Sequence, residues 1–143
     1  MTHRVHVEVL PLRFGDVDYA RILYYPRLLH YCHVAMEGFF GEITGESYAH
    51  LLAERNLGFP TVHLEATYLE PLPYGTDLRI AVDVEKIGES SLVLRYEERG
   101  GAEGGVRARV KGTVVCVAMD RFESTPIPED IRRALQPYLV SKS

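Results

Sequence analysis

Apolar and polar positions change period twice along the chain. Val5, Val7 and Val9 alternate with His6 and Glu8, which is the period of a strand. Pro11 interrupts the alternation and predicts an edge strand or a bulge. From Tyr25 or Pro26 the spacing becomes helical, with Leu28, Leu29, Cys32, Ala35, Met36, Phe39 and Phe40 on one face. Pro26 suits a first turn and Gly41 suits a stop. The roughly four turns between them carry an apolar face thick enough to be buried. A shorter helix is predicted from Ser47 to Arg55, with Ser47 or Thr44 as N-cap and Asn56 to Gly58 closing it.

From Phe59 onward the period is two. Val62, Leu64, Ala66 and Tyr68 alternate with His63, Glu65 and Thr67. After a turn-like stretch from Pro71 to Gly75, Leu78, Ile80, Val82 and Val84 alternate with Arg79, Ala81, Asp83 and Glu85. Gly88-Glu89 predicts a hairpin into Leu92, Leu94 and Tyr96. A Gly-rich loop from Gly100 to Gly105 leads to a long final strand, Val106 to about Met119. One face of that strand carries Val106, Ala108, Val110, Val114, Cys116 and Ala118. The other begins with Arg107, Arg109 and Lys111 and turns apolar at Val115 and Val117, which predicts a central strand or a face covered by another subunit. A short helix, Pro128 to Leu135, closes the pattern. One apolar sheet face and one apolar helix face must cover each other, so the fold class is α+β, a long helix on a curved antiparallel sheet.

Composition narrows the class. A length of 143 residues with 46% hydrophobic content predicts one domain, 1–143, with a substantial core. A net charge of −4 gives no support for nucleic-acid binding. No stretch approaches the roughly 18 apolar residues of a membrane span, and the first residues lack a signal peptide's apolar segment. Cys32 and Cys116 are isolated and read as buried apolar residues, not a disulfide. Together these predict a cytoplasmic protein.

The connection from the first strand to the long helix carries the chemistry. It reads Phe14-Gly15-Asp16-Val17-Asp18-Tyr19-Ala20-Arg21-Ile22-Leu23-Tyr24-Tyr25-Pro26. Two carboxylates thus precede a helix N-terminus, whose unpaired N–H groups and partial positive charge can polarise a carbonyl. A hydrolytic site is one reading; the other is an Asp capping the turn beside a solvated neighbour.

This stretch, the strand series from Thr61 with Tyr68 and Pro71, and the Lys86-to-Ser91 hairpin resemble the hotdog-fold acyl-CoA thioesterases, in particular the 4-hydroxybenzoyl-CoA thioesterase-like family. The resemblance covers nearly the whole chain, and its most specific part is Asp-x-Asp, six residues, then Tyr-Pro. It implies a helix wrapped by a sheet of about five strands, and a homodimer or homotetramer with active sites at the dimer interface. The implied substrate is an acyl-CoA, and the implied reaction needs no cofactor and no metal. It implies Asp18 as nucleophile or general base and the Tyr25 backbone N–H as the donor to the thioester carbonyl. Tyr24, Tyr25 and Tyr68 would shape the acyl pocket, and Asp16 would hold the turn. Two departures stand out. Arg21 occupies a place where many relatives have Gly, where it would contact an acidic acyl group, a CoA phosphate or Asp18. The hairpin is acidic where some members bind CoA phosphates, leaving Lys86 nearby and Arg107, Arg109 and Lys111 as candidates or as a solvated face.

Rival constellations are thinner. His30 and His33 share a helix face without an acidic neighbour to complete a metal set, and His63 points away from its strand's apolar set, toward a site or, more in keeping with a lone histidine, toward solvent or an interface. No Gly-x-Ser-x-Gly elbow occurs, and the Gly-rich run lacks the ending of a phosphate loop. Tyr48 and Tyr74 read as packing residues with a wet hydroxyl. The alternatives to hydrolysis are a hotdog hydratase or dehydratase, disfavoured by the lack of a His between Arg13 and Arg27, and a non-catalytic acyl-CoA or acyl-carrier binding protein.

Overall fold

The computed structural model describes residues 3–11, 25–70, 77–101 and 104–140, with Tyr25 and Pro26 described in backbone only. The elements in order are β1 (His6–Leu10), α1 (Tyr25–Thr44), α2 (Tyr48–Glu54), β2 (Leu57–Gly58), β3 (Thr61–Tyr68) and β4 (Leu78–Ile87). They continue with β5 (Ser91–Gly100), β6 (Val106–Val115), β7 (Val117–Ala118), β8 (Glu123–Ser124) and α3 (Glu129–Leu135), then a single 3-10 turn at Gln136–Tyr138. Five strands form an antiparallel sheet in the order β1-β4-β5-β6-β3, and β2-β7-β8 form a small second sheet.

The alternation on β4 and β5 does what its period demands. Leu78, Ile80, Val82, Val84, Leu92 and Leu94 are sealed on one face, together with Ala108, Val110 and Val114 of β6. Helix α1 lays Leu28, Cys32, Ala35, Met36, Phe39 and Phe40 on that inner face. Phe40 stacks on Phe59 with ring centroids 4.4 Å apart, and Phe39 meets Tyr138 edge-on at 5.0 Å, which ties the C-terminal turn to the helix. Ser47 caps α2 by accepting from the His50 N–H at 3.0 Å.

Three expectations are corrected. Gly41 does not stop α1, which runs on to Thr44. The stop is Gly45, at φ +74°, whose N–H donates to the Gly41 carbonyl at 3.0 Å. Packing of Phe39, Phe40 and Ile43 into the core carries the helix past the glycine. The last strand does not run unbroken to Met119. Cys116 leaves the ladder, its N–H donating to the Ser90 carbonyl at 2.7 Å, and β7 pairs with β2 instead of β3. The Tyr48 hydroxyl is not wet: it accepts the Phe59 N–H at 2.8 Å in a part-buried setting. On β1 the three valines lie on the outer face, half exposed, while His6 and Glu8 face α1. His6 is held there between two acids, its Nδ1 2.8 Å from a Glu42 oxygen and its Nε2 2.7 Å from a Glu8 oxygen. Tyr138 donates to the same Glu42 oxygen at 3.0 Å. The Glu8 carboxylate crosses α1 where a side chain at Gly38 would stand, so β1 and the helix approach closely only because that residue is glycine.

Candidate active site

Two ends of α1 have different chemistry. Its C-terminal half carries the fully paired His6–Glu42–Tyr138 cluster. Its N-terminus begins at Tyr25, and the first turn contains no acid, while Arg27 adds a cation there. Nothing within that turn cancels the positive end of the helix, and the first N–H groups of a helix have no partner inside it. Asp16, Asp18, Arg21 and Tyr24 lie outside the described residues, as does Tyr74. Of the proposed site residues the structure therefore locates two, Tyr25 at the first position of α1 and Tyr68 at the last position of β3.

Register shows what lies under the helix start. Tyr68 pairs with Ala108, Ala108 with Glu98, and Glu98 with Ile80, so these four stand in one row on the inner face. The row continues the sealed face of Leu92, Leu94 and Tyr96, and Glu98 is completely buried in it. Above Glu98 is Cys32, two turns into α1, and the two side chains interact. Tyr68 is about half exposed at the sheet edge. Burial pushes the Glu98 carboxyl up to about 9, so it carries its proton at neutral pH. Burial, together with the Glu98 carboxyl beside it, raises the Cys32 thiol, which is inert as a nucleophile there. Neither carboxyl oxygen of Glu98 has a nitrogen or oxygen partner. The sequence reading missed this residue, although the parity of Leu92, Leu94 and Tyr96 extended by one step points to it.

The outer face of the sheet is polar and paired. Arg95 bonds Asp83, Lys111 lies 3.2 Å from Glu85, and Arg109 lies 3.7 Å from Glu97. Arg107 meets Glu70 at 3.1 Å. A groove of about 300 Å³ on this face, between Thr67, Asp83, Arg95 and Arg109, lies across the sheet from α1 and is no part of an acyl site at the helix start. Each of the cations proposed for CoA phosphates thus already faces a carboxylate, while Lys86 is exposed at the hairpin. His63 lies on this outer face, exposed, 3.1 Å from Glu65, and His33 pairs with Glu37 one turn on. Among the described residues no group of three His, Cys, Asp or Glu has the arrangement of a metal site, and no helix is long and apolar enough to cross a membrane.

Residues 12–135 match the family model of the thioesterase-like superfamily. The chain belongs to the thioesterase-like superfamily. The 1,4-dihydroxy-2-naphthoyl-CoA hydrolase of Thermosynechococcus vestitus is 27% identical over 121 residues, 84% of this chain and 81% of that protein. A crystal structure of a thioesterase-superfamily protein from Jannaschia sp. CCS1 superposes with a TM-score of 0.90 at 25% identity, covering 96% of this chain and 94% of the other. A 4-hydroxybenzoyl-CoA thioesterase variant, solved with 4-hydroxybenzoyl-CoA, shares the fold at a TM-score of 0.84 and 21% identity, over 92% and 99% of the two chains. The architecture is the hotdog fold. As a member of this superfamily the thioesterase hydrolyses an acyl-CoA thioester, and its α1 is the helix that the sheet wraps.

Proposed function

We propose that the thioesterase cleaves the CoA thioester of an aromatic acid at the N-terminus of α1, with Asp18 as nucleophile or general base. The observation that carries this reading is the start of α1 at Tyr25, seven residues after Asp18, with no acid in its first turn. The thioester carbonyl oxygen accepts the Tyr25 backbone N–H, and the helix end stabilises the negative charge that builds on that oxygen. Asp18 then attacks the carbonyl carbon, or takes a proton from the water that does. Collapse of the tetrahedral intermediate expels CoA as a thiolate, whose low basicity makes it a good leaving group. On the nucleophilic route, water next hydrolyses the mixed anhydride and restores the carboxylate. The chemistry calls on no resident metal or cofactor. Tyr24 and Arg21 belong to the same connection and flank the reacting group. An aromatic acyl group is supported by the Thermosynechococcus relative, a 1,4-dihydroxy-2-naphthoyl-CoA hydrolase, and by the apolar underside of α1.

The working unit is a homodimer, or a tetramer of such dimers, joined along β3. That strand is the sheet edge, all eight of its residues are exposed, and Leu64 and Tyr68 leave apolar surface bare on the inner face. An edge of this kind pairs readily with another strand, and a second copy supplies one by symmetry. Two buried free thiols suit a reducing cytoplasm. The test is thiol release from benzoyl-CoA and its ring-hydroxylated forms. Asp18→Asn should lose turnover by at least about a thousandfold with the melting temperature unchanged. Full activity in that variant overturns the assignment.

A further inference from the structure

We propose that Glu98 is the specificity-determining residue of the acyl pocket, hydrogen-bonding a hydroxyl carried at the far end of an aromatic acyl group. The inference rests on thioester cleavage at the start of α1 and adds to it a residue and a substituent. Three observations carry it.

The first is an unmet demand. Glu98 is 0% exposed and neither of its oxygens has a nitrogen or oxygen partner. A buried polar group without partners costs free energy, and native chains keep few of them. Its neighbours in the row, Ile80 and Ala108, are apolar, and the thiol of Cys32 is a weak donor. An apolar side chain would fill this place in the core without that cost.

The second is position. Glu98 lies under Cys32, and Cys32 is seven residues along α1 from Tyr25. At the helical rise this is roughly 10 Å, the length of a carbonyl hydrogen bond, an aromatic ring and a ring hydroxyl laid end to end. Leu28, one turn before Cys32 and buried, lies on the way and offers an apolar wall for a ring. Along the row, Ala108 stands between Glu98 and half-exposed Tyr68 at the sheet edge.

The third is chemical match. With its proton held by burial, the carboxyl offers one O–H donor and one carbonyl acceptor. A hydroxyl satisfies both, accepting the acid proton and donating its own to the other oxygen. A ring bearing only hydrogen leaves both groups unmet, and a carboxylate substituent would add a second buried acid. A site built to hydrogen-bond a substrate hydroxyl discriminates strongly against the analogue that lacks it, because its own polar atoms are then stranded.

The experiment is thiol release by the full-length protein from benzoyl-CoA, 3-hydroxybenzoyl-CoA and 4-hydroxybenzoyl-CoA, in wild type, Glu98→Gln and Glu98→Leu. Wild type should favour one hydroxylated substrate over benzoyl-CoA by at least tenfold in kcat/KM. In Glu98→Leu that ratio should fall toward one, while Glu98→Gln, which keeps a donor and an acceptor, should retain part of it. No preference in wild type overturns the proposal whether or not the variants fold. A preference that survives unchanged in Glu98→Leu, or loss of all substrates by one common factor, also overturns it and assigns Glu98 to packing alone. If wild type releases no thiol from any of the three, the reading of an aromatic acyl group cleaved at the start of α1 fails. The Glu98 proposal is then judged on affinities for the same three CoA esters by calorimetry, with the same ratios expected.

Discussion

Asp83 and Arg95 face each other across β4 and β5 in direct register, and the guanidinium donates Nε and Nη2 to the two carboxylate oxygens at 2.7 and 2.6 Å. The hydrogen bonds that it donates to Asp83 hold the Arg95 guanidinium above its ordinary range. Asp83 is buried while Arg95 keeps much of its side chain in water, so the pair is worth more than a surface bridge and less than a sealed one. Asp83→Ala should lower stability by about 1–3 kcal/mol in urea unfolding. A change within a few tenths of a kcal/mol would mean the pair is ornamental.

Glu98 should make the fold sensitive to alkali. Its carboxyl moves from the ordinary 4.5 to about 9 on folding, with burial as the cause. Below pH 4.5 both states hold the proton. Between the two values the unfolded chain releases it and the native chain does not, so stability falls as pH rises, by up to about 1.4 kcal/mol per unit. Above pH 9 the loss is complete. Glu98→Gln removes this dependence, so its melting temperature should gain on wild type steadily from pH 5 to pH 8 by calorimetry. A pH-independent difference would contradict the buried neutral acid.

The Tyr25 N–H can be deleted without disturbing the helix. Tyr25 already precedes Pro26 and bears the backbone restriction that a following proline imposes. Proline is tolerated in a first turn, where its missing N–H breaks no helical bond. Tyr25→Pro should therefore fold and lose about a hundred- to a thousandfold in kcat. Tyr25→Ala removes the ring but keeps the N–H, and should raise KM more than it lowers kcat. Equal losses in the two variants would assign the effect to the side chain.

Tyr48 ties the start of α2 to the chain just after β2 by accepting the Phe59 N–H, and burial raises its hydroxyl above the ordinary range. Tyr48→Phe strands that N–H beside the Phe40–Phe59 stack. The expected cost is about 1–2 kcal/mol in thermal or urea unfolding, with thiol release unchanged at temperatures well below the transition.

Leu64 lies on the exposed inner face of β3, against Gly112. A charge there would be sealed in a dimer joined along this edge and solvated in a monomer. Leu64→Arg should shift sedimentation toward the monomer and reduce thiol release in parallel. A variant that stays dimeric would place the subunit contact elsewhere.

The amino-acid pattern by itself determined the elements. Periods of two and 3.6 residues mark β1, α1 and the strands from β3 to β6, because each period states which side chains share a face. The pattern also placed the start of α1 at Tyr25 or Pro26, where the helix begins at Tyr25, and the burial of Cys32 and Cys116. Local period does not state which face meets the core. On β1 the apolar face turned outward, because pairing His6 with Val82 sends His6 and Glu8 toward the helix, where Glu42 and each other satisfy them. The same limit hid Glu98. Its charge reads as solvent-facing until the ladder with Ile80 and Ala108 carries the parity of Leu94 and Tyr96 one residue further into the core. The end of α1 and the break at Cys116 were likewise decided in three dimensions, by the packing of Phe39 and Phe40 and by the backbone bond to Ser90. Pairing register and burial are properties of the whole sheet and helix together, and no window of sequence contains them.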